Sequence, residues 1–286
     1  MLEMLMNPKK AERHPWELFF IGLFYGLLSL FLVKWMFSSD PVLSKYSGVL
    51  VVTFTVMFSM PFMYYTIRYE EKKIVTGAGT FSLLKEHNKA LLAFLWLFLG
   101  FVIAYSSWYA LSPGTQSFQA QIETYCSINR PANFEECVNQ YAPADSGSKA
   151  TGFVSSKERL FLIFTNNIYV LIFTLIFSLL FGAGVIFVLA WNASVIAAAI
   201  SIFTNSEFSA LPLGIARYII HGAPEIASYF IVAIAGGFVS VAVAKHEAGT
   251  NRFWLILQDS LNLIIVAVIV LFIAALLEVF ITPLLF

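Results

Sequence analysis

The sequence predicts an all-α polytopic membrane protein of about seven transmembrane helices, with its N-terminus inside and its C-terminus outside. Apolar residues fill 59% of the 286 positions and charged residues only 12%, against roughly 45–50% and about 25% in a soluble globular domain. Mean hydropathy is +0.80. The apolar residues also fall in runs close to the ~20 residues that a helix needs to cross a bilayer, and basic residues collect beside alternate runs.

The first run, Trp16 to Phe37, spans with Lys34 near enough to one end to snorkel. Lys9, Lys10 and Arg13 precede it, yet the run is too long for the core of a secretory signal, so no cleavable signal peptide is expected. Ser47 to Tyr65 forms the second span, interrupted late by Pro61, and Ala90 to Leu111 the third. Polar sequence then runs over residues 112–159 and holds both cysteines, Cys126 and Cys137. Two cysteines allow one intramolecular disulfide, which an exported loop in oxidising surroundings favours; two free thiols are the alternative. No histidine lies in the loop to complete a metal-ligand set.

Leu160 to Phe203 is a tract of 44 residues without a charged side chain. It is too long for one helix and suits two joined by a turn. The only turn chemistry inside it is "FGAG", with Gly182 and Gly184, where glycine tolerates a sharp reversal. The fourth and fifth spans are therefore Leu160–Phe181 and Gly184–Phe203. A single tilted helix with a re-entrant tail competes, but it would move Lys245 and Arg252 outside, against the positive-inside rule. With two crossings, the inner segments 1–15, 66–89 and 245–252 hold ten of the seventeen basic residues.

In the next apolar run, Leu213 to Ala244, Arg217, His221 and Glu225 recur every four residues, with Gly222 and Pro224 between them. Proline fits the first turn of a helix and disrupts an interior. The sixth span is expected from Pro224 to Ala244, preceded by a short re-entrant or interfacial helix over 210–222. Phe253 to Phe280 is the seventh. Residues 1–89 then make an N-terminal two-helix unit with a cytoplasmic loop, and 90–286 a five-helix core.

This topology gathers Asn166, Asn167, Arg217, His221, Glu225 and Glu278 in the extracytoplasmic half of the membrane, with Asn192 of the same polar cluster near the middle of the fifth span. A charged side chain at the centre of a span costs about 2.5–3.5 kcal/mol by insertion scales, so the cluster needs a reason. One is structural: the groups satisfy each other and fix helix packing. A second is a polar cavity, open to the outside, that binds a ligand or passes a proton or solute. A catalytic centre is the third, and would need His221 and Glu225 at an accessible cleft. Small residues four apart recur in the fifth and sixth spans, at Ala193/Ala197, Ala197/Ser201, Ala233/Gly237 and Gly236/Ser240, and in the first at Gly22/Gly26. Such pairs let helices approach closely in lipid. They predict a tight inner core of the fifth and sixth spans, wrapped by the Phe- and Leu-rich others.

Motifs for zinc hydrolysis, for a phosphate loop and for a serine nucleophile are missing, and no cofactor is expected. A formal net charge of zero and the lack of basic–aromatic runs point away from nucleic acid.

Taken in order, "TNNIYV" (165–170), "FGAG", "WNAS" (191–194) and "HGAPEIASYFIVAIAGG" (221–237) resemble the stage II sporulation protein M family. Asn166, Asn167, Gly182, Gly184, Asn192, His221, Gly222 and Glu225 take its motif positions, with Ala193 where glycine is usual. The opening "NPKKAERHPWELFFIGLFYG" is similar to the start of longer archaeal-type members. In spore-forming bacteria the family member holds cell-wall hydrolases at the engulfing septum. The resemblance thus implies a non-enzymatic, multi-pass protein of the cell membrane that scaffolds or anchors a complex. Its partners would be the lipid bilayer and other membrane or extracytoplasmic proteins, with a homo-oligomer left open. The alternative is a transporter or channel-like subunit with an extracytoplasmic polar cavity around His221 and Glu225.

Overall fold

The computed structural model describes residues 8–40, 42–71, 80–111, 118–129, 133–141, 156–181, 185–245 and 249–286. Among these, seven helices are long and apolar enough to cross a membrane. A backbone in hydrocarbon has no water to bond, so it closes its hydrogen bonds within each segment, and helices result.

A short α1 (Pro8–Arg13) leads into α2 (Glu17–Phe37). Asp40 closes the following turn, where its carboxylate accepts the N–H groups of Val42 and Leu43 at 2.8 and 2.9 Å. The Leu43 amide, and then that of Val42, hold its pKa below the ordinary aspartate value. A 3-10 turn, Leu43–Tyr46, precedes α3 (Ser47–Glu71), and α4 (Thr80–Leu111) follows. The polar segment folds into α5 (Gln119–Asn129) and α6 (Phe134–Tyr141). Then come α7 (Ser156–Phe181), α8 (Val185–Thr204), α9 (Leu211–Ala244) and α10 (Asn251–Leu276). A π-helical turn, Leu277–Ile281, and α11 (Thr282–Leu285) complete the chain.

The uncharged tract does fold back as two helices, α7 and α8, joined through residues 182–184. Gly182 and Gly184 themselves lie outside the described residues. Stacking of Phe187 against Phe177, with centroids 6.5 Å apart, holds the two helices together near that connection.

One expectation is corrected. No separate short helix covers 210–222: α9 runs unbroken through Gly222 and Pro224. The balance of backbone bonds explains it. An interior proline sacrifices one helical hydrogen bond, whereas a break would create two new ends, each with about four orphan backbone groups. In an apolar setting the continuous helix is the cheaper solution. At 34 residues, α9 is also about 51 Å long at ~1.5 Å per residue.

The inner core is wider than small-residue spacing implied. Buried residues make up 72% of the most apolar window of α9, 61% of that of α8 and 61% of that of α4, but only 22% for α7 and 28% for α10. The third span thus belongs to the centre rather than to the wrapping. Two features put it there. Gly100 of α4 meets Gly22 of α2 backbone to backbone, since a Cβ at Gly100 would overlap the Phe19 carbonyl oxygen and fall 2.7 Å from the Leu23 nitrogen. Phe94 of α4 also stacks on Phe230 of α9, centroids 4.3 Å apart. Lys34 lies over the Trp108 ring at 5.1 Å, so its charge is held by an aromatic face at the end of α4.

Cys126 and Cys137 are joined in a disulfide, with their Cα atoms 5.7 Å apart. Together with Ile122 they bury against Ala198 of α8. Phe118 stacks on Tyr109 of α4 with centroids 4.4 Å apart, and Gln121 Nε2 donates to the Gly48 carbonyl of α3 at 3.1 Å. The α5–α6 unit is therefore clamped to three different spans at one end of the bundle, called below the disulfide end.

Candidate functional site

The intramembrane polar residues come from four helices, and the contacts between those helices fix their relative depth. Gly222 of α9 lies against Ile196 of α8, and these helices run antiparallel, so Asn192 stands level with Ile226. Gly236 of α9 packs on Leu175 and Ser178 of α7, which runs parallel to it; Glu225 is then level with residues 164–167, where Asn166 and Asn167 sit. His221 Nδ1 and Thr282 Oγ1 are 3.2 Å apart, which sets Glu278 one turn further in, beside Glu225. Asn166, Asn167, Asn192, Glu225 and Glu278 thus form one layer across the bundle. His221 and Thr282 lie a turn nearer the disulfide end, and Arg217 a turn beyond them.

The hydrogen bonds within this layer are mostly local. Asn192 Nδ2 donates to the Val188 carbonyl of its own helix at 2.7 Å. Asn166 Nδ2 donates to Asn167 Oδ1 at 3.3 Å. Tyr229, fully buried, donates its hydroxyl to Glu225 Oε1 one turn back at 2.9 Å. Among the described residues of this layer, the His221–Thr282 contact is the one that joins two helices. Thr282 Oγ1 also donates to the Leu277 carbonyl at 3.0 Å, so the network is satisfied when His221 Nδ1 carries the proton and Thr282 accepts it. Glu278 sits inside the π-helical turn that this bond braces. His221 and Glu225 are successive members of one helix face, and each takes a different partner, a threonine for the imidazole and a tyrosine for the carboxylate.

Two guanidinium groups stand at the disulfide end of this layer. Arg217 places its guanidinium carbon 4.5 Å from the centroid of the Phe203 ring. Extending the α7–α9 register puts Arg159 level with residue 218. Both arginines lie near enough to His221 to act on its charge, and Arg159 acts on Glu278 as well. Neither forms an ion pair among the described residues.

Past the polar layer, α7 and α8 part and leave a groove of about 520 Å³. Asn166 and Asn192 lie in its wall, and Tyr169, Phe173, Phe187 and Trp191 form most of the rest. Tyr169 and Phe173, 68% and 40% exposed, mark its open rim. On the other side of α9, between α4 and α8, a smaller apolar cleft of about 220 Å³ is lined by Trp96, Ile200, Tyr218 and Gly222 among others. Gly222 opens this cleft rather than permitting backbone contact, because a Cβ there would meet Ile196 at an ordinary 3.4 Å.

Sequence reading missed Arg159, Tyr229 and Thr282. Tyr229 was open to view as the residue four after Glu225, and Thr282 as the residue four after Glu278. Arg159 had been assigned to the polar loop, and only the register of α7 against α9 brings it to the site.

Residues 90–283 match the family description Stage II sporulation protein M. No curated protein and no solved structure matches the chain. The matched region begins at the apolar part of α4, runs into α11 and includes every residue of the polar layer, leaving α1 to α3 outside. It covers about two thirds of the chain, and the protein belongs to the stage II sporulation protein M family.

Proposed function

We propose that this membrane protein acts by binding rather than catalysis, anchoring or organising a complex at the cell membrane. The observation that carries the reading is the α5–α6 unit. It is closed by the Cys126–Cys137 bond and held against Ala198, Tyr109 and Gly48 on three spans. A short polar unit fixed this firmly to a bundle makes a rigid platform, and rigidity lowers the ordering cost of binding a partner protein. Its disulfide favours an oxidising side of the membrane, which agrees with an N-terminus inside, a C-terminus outside and extracytoplasmic partners.

Co-purification from native membranes tests this. A stoichiometric partner is expected, and Phe134→Glu, at an exposed position of α6, should release it without altering the elution profile of the protein itself. Recovery of the chain alone, together with solute flux through reconstituted vesicles, would overturn the reading. The transporter alternative needs a watery path to Asn192. The space beside Asn192 is walled mainly by aromatic and aliphatic side chains, which suit hydrocarbon better than water, and this disfavours it.

A further inference from the structure

We propose that the α7–α8 groove and the arginines beside it form a site for one anionic lipid, phosphate toward Arg159 and Arg217 and chain along the groove. Three observations converge. Arg159 and Arg217 stand at one level by the register of α7 and α9, both within electrostatic reach of His221. Neither has a carboxylate in ion-pair contact among the described residues. Glu278 lies within electrostatic reach of Arg159 but not in ion-pair contact with it, and phosphate oxygens match the planar donor fork that each guanidinium still offers.

The second observation is spare hydrogen-bonding capacity deeper in. Asn166 and Asn192 each commit one N–H to a local acceptor, while an amide offers two donors and a carbonyl oxygen. The remaining groups sit in the wall of a groove that is otherwise apolar. Asn166 is seven residues past Arg159 on α7, about 10 Å at ~1.5 Å per residue. That is the order of the distance between a lipid phosphate and the oxygens linking its chains to the glycerol. The third observation is the groove itself, about 520 Å³ with Phe173 and Phe187 along its length and its rim at the bundle surface, which a lipid chain can enter sideways. Headgroup, linker and chain thus each meet matching chemistry in the order in which a lipid presents them. A soluble anion would use only the first.

Native mass spectrometry on the detergent-solubilised full chain tests this, with equal amounts of dioleoyl-phosphatidylglycerol and dioleoyl-phosphatidylcholine. One phosphatidylglycerol per chain should be retained in preference to phosphatidylcholine. The double variant Arg159→Gln, Arg217→Gln should lose about 30-fold of that preference, the worth of two basic side chains toward an anionic headgroup. Asn166→Leu with Asn192→Leu should weaken retention of both lipids and leave their ratio unchanged. Equal retention of the two lipids by the unaltered protein would overturn the proposal. So would an unchanged preference in the arginine variant, or displacement of the lipid by millimolar inorganic phosphate, which would mark an anion site with no part for the chain.

Discussion

The α2–α4 and α7–α8 contacts show opposite ways for two membrane helices to meet. Helices α2 and α4 are far apart in the chain, yet their backbones touch, because Gly22 faces Gly100 and Gly26 faces Ala104. Helices α7 and α8 are joined through only three residues, yet they part. The facing side chains decide this. Glycine opposite glycine removes every atom that would hold the axes apart, whereas in the second pair wide rings meet instead of backbones, Phe187 against Phe173 and Phe177, and the axes stay apart with a groove beside them. Proximity in sequence puts two helices side by side; side-chain size decides whether they close. The closed pair serves the architecture, and the open pair carries Asn166 and Asn192.

The largest effect is expected where the closed pair has no room. Gly100→Leu forces a side chain into the Phe19 carbonyl and the Leu23 nitrogen, which are backbone atoms and cannot rotate aside. Overpacking a core ordinarily costs about 1–3 kcal/mol, and immovable neighbours should push this variant past it. Size-exclusion chromatography should show loss of the monodisperse peak. Gly222→Ala serves as the control, since its new Cβ would meet Ile196 at an ordinary 3.4 Å, and it should elute as the unaltered protein does.

The next effect bears on what positions α8 once α7 has parted from it. Ala198 of α8 packs into the cystine cluster of α5 and α6, so the platform should set α8 in place. Closing a loop with a sequence separation of 11 corresponds to roughly 3 kcal/mol in the chain-entropy model. Substituting Cys126→Ser with Cys137→Ser should therefore loosen α5 and α6 and raise amide exchange along the adjoining part of α8. Exchange in α2 should not change. Equal loosening throughout the bundle would mean that the two regions are not independent.

Smaller still are the single hydrogen bonds of the polar layer. Thr282→Val removes a side-chain bond by which the layer joins α9 to the C-terminal turns. Measured interhelical bonds of this kind average about 0.6 kcal/mol and reach ~1.7, so a fall of a few degrees in the apparent melting temperature is expected. Tyr229→Phe strips Glu225 of its donor inside one helix and should cost about 1 kcal/mol. If Thr282→Val proves far more damaging than Tyr229→Phe, the contact between helices governs the site; similar costs would mark the layer as locally satisfied.

How much of this could be read from the sequence depended on whether the signal was local. Span number and the fold-back of the uncharged tract followed from run length and charge, which act residue by residue; the shared level of Asn192 with Asn166, Glu225 and Glu278 did not, because it depends on the register between helices. The unbroken α9 did not, because the fate of Pro224 turns on the cost of exposed helix ends in an apolar medium and not on proline's own preference. Nor did the central place of α4. Its Gly100 stands alone in a Phe- and Leu-rich run, and only the reciprocal Gly22 on another helix gives it meaning. The groove escaped notice for a related reason: a cavity is a relation between two surfaces, and neither "TNNIYV" nor "WNAS" describes the gap between them.

The mildest substitution tests the open pair most directly. Asn192 donates a side-chain amide hydrogen bond to the Val188 carbonyl, which as a helix-interior acceptor is also positioned to receive the backbone N–H of residue 192. Its loss costs little, because side-chain bonds back to the preceding turn compete with the helix rather than build it. Asn192→Leu trades that amide for hydrocarbon in a groove already lined by aromatic rings, and a change within about 0.5 kcal/mol of zero is expected for such a site. A near-neutral melting profile would mean that the asparagine is kept for what enters the groove and not for the fold. A loss as large as that from Thr282→Val would instead make Asn192 part of the packing, and the contrast between the closed and open pairs would then be one of degree.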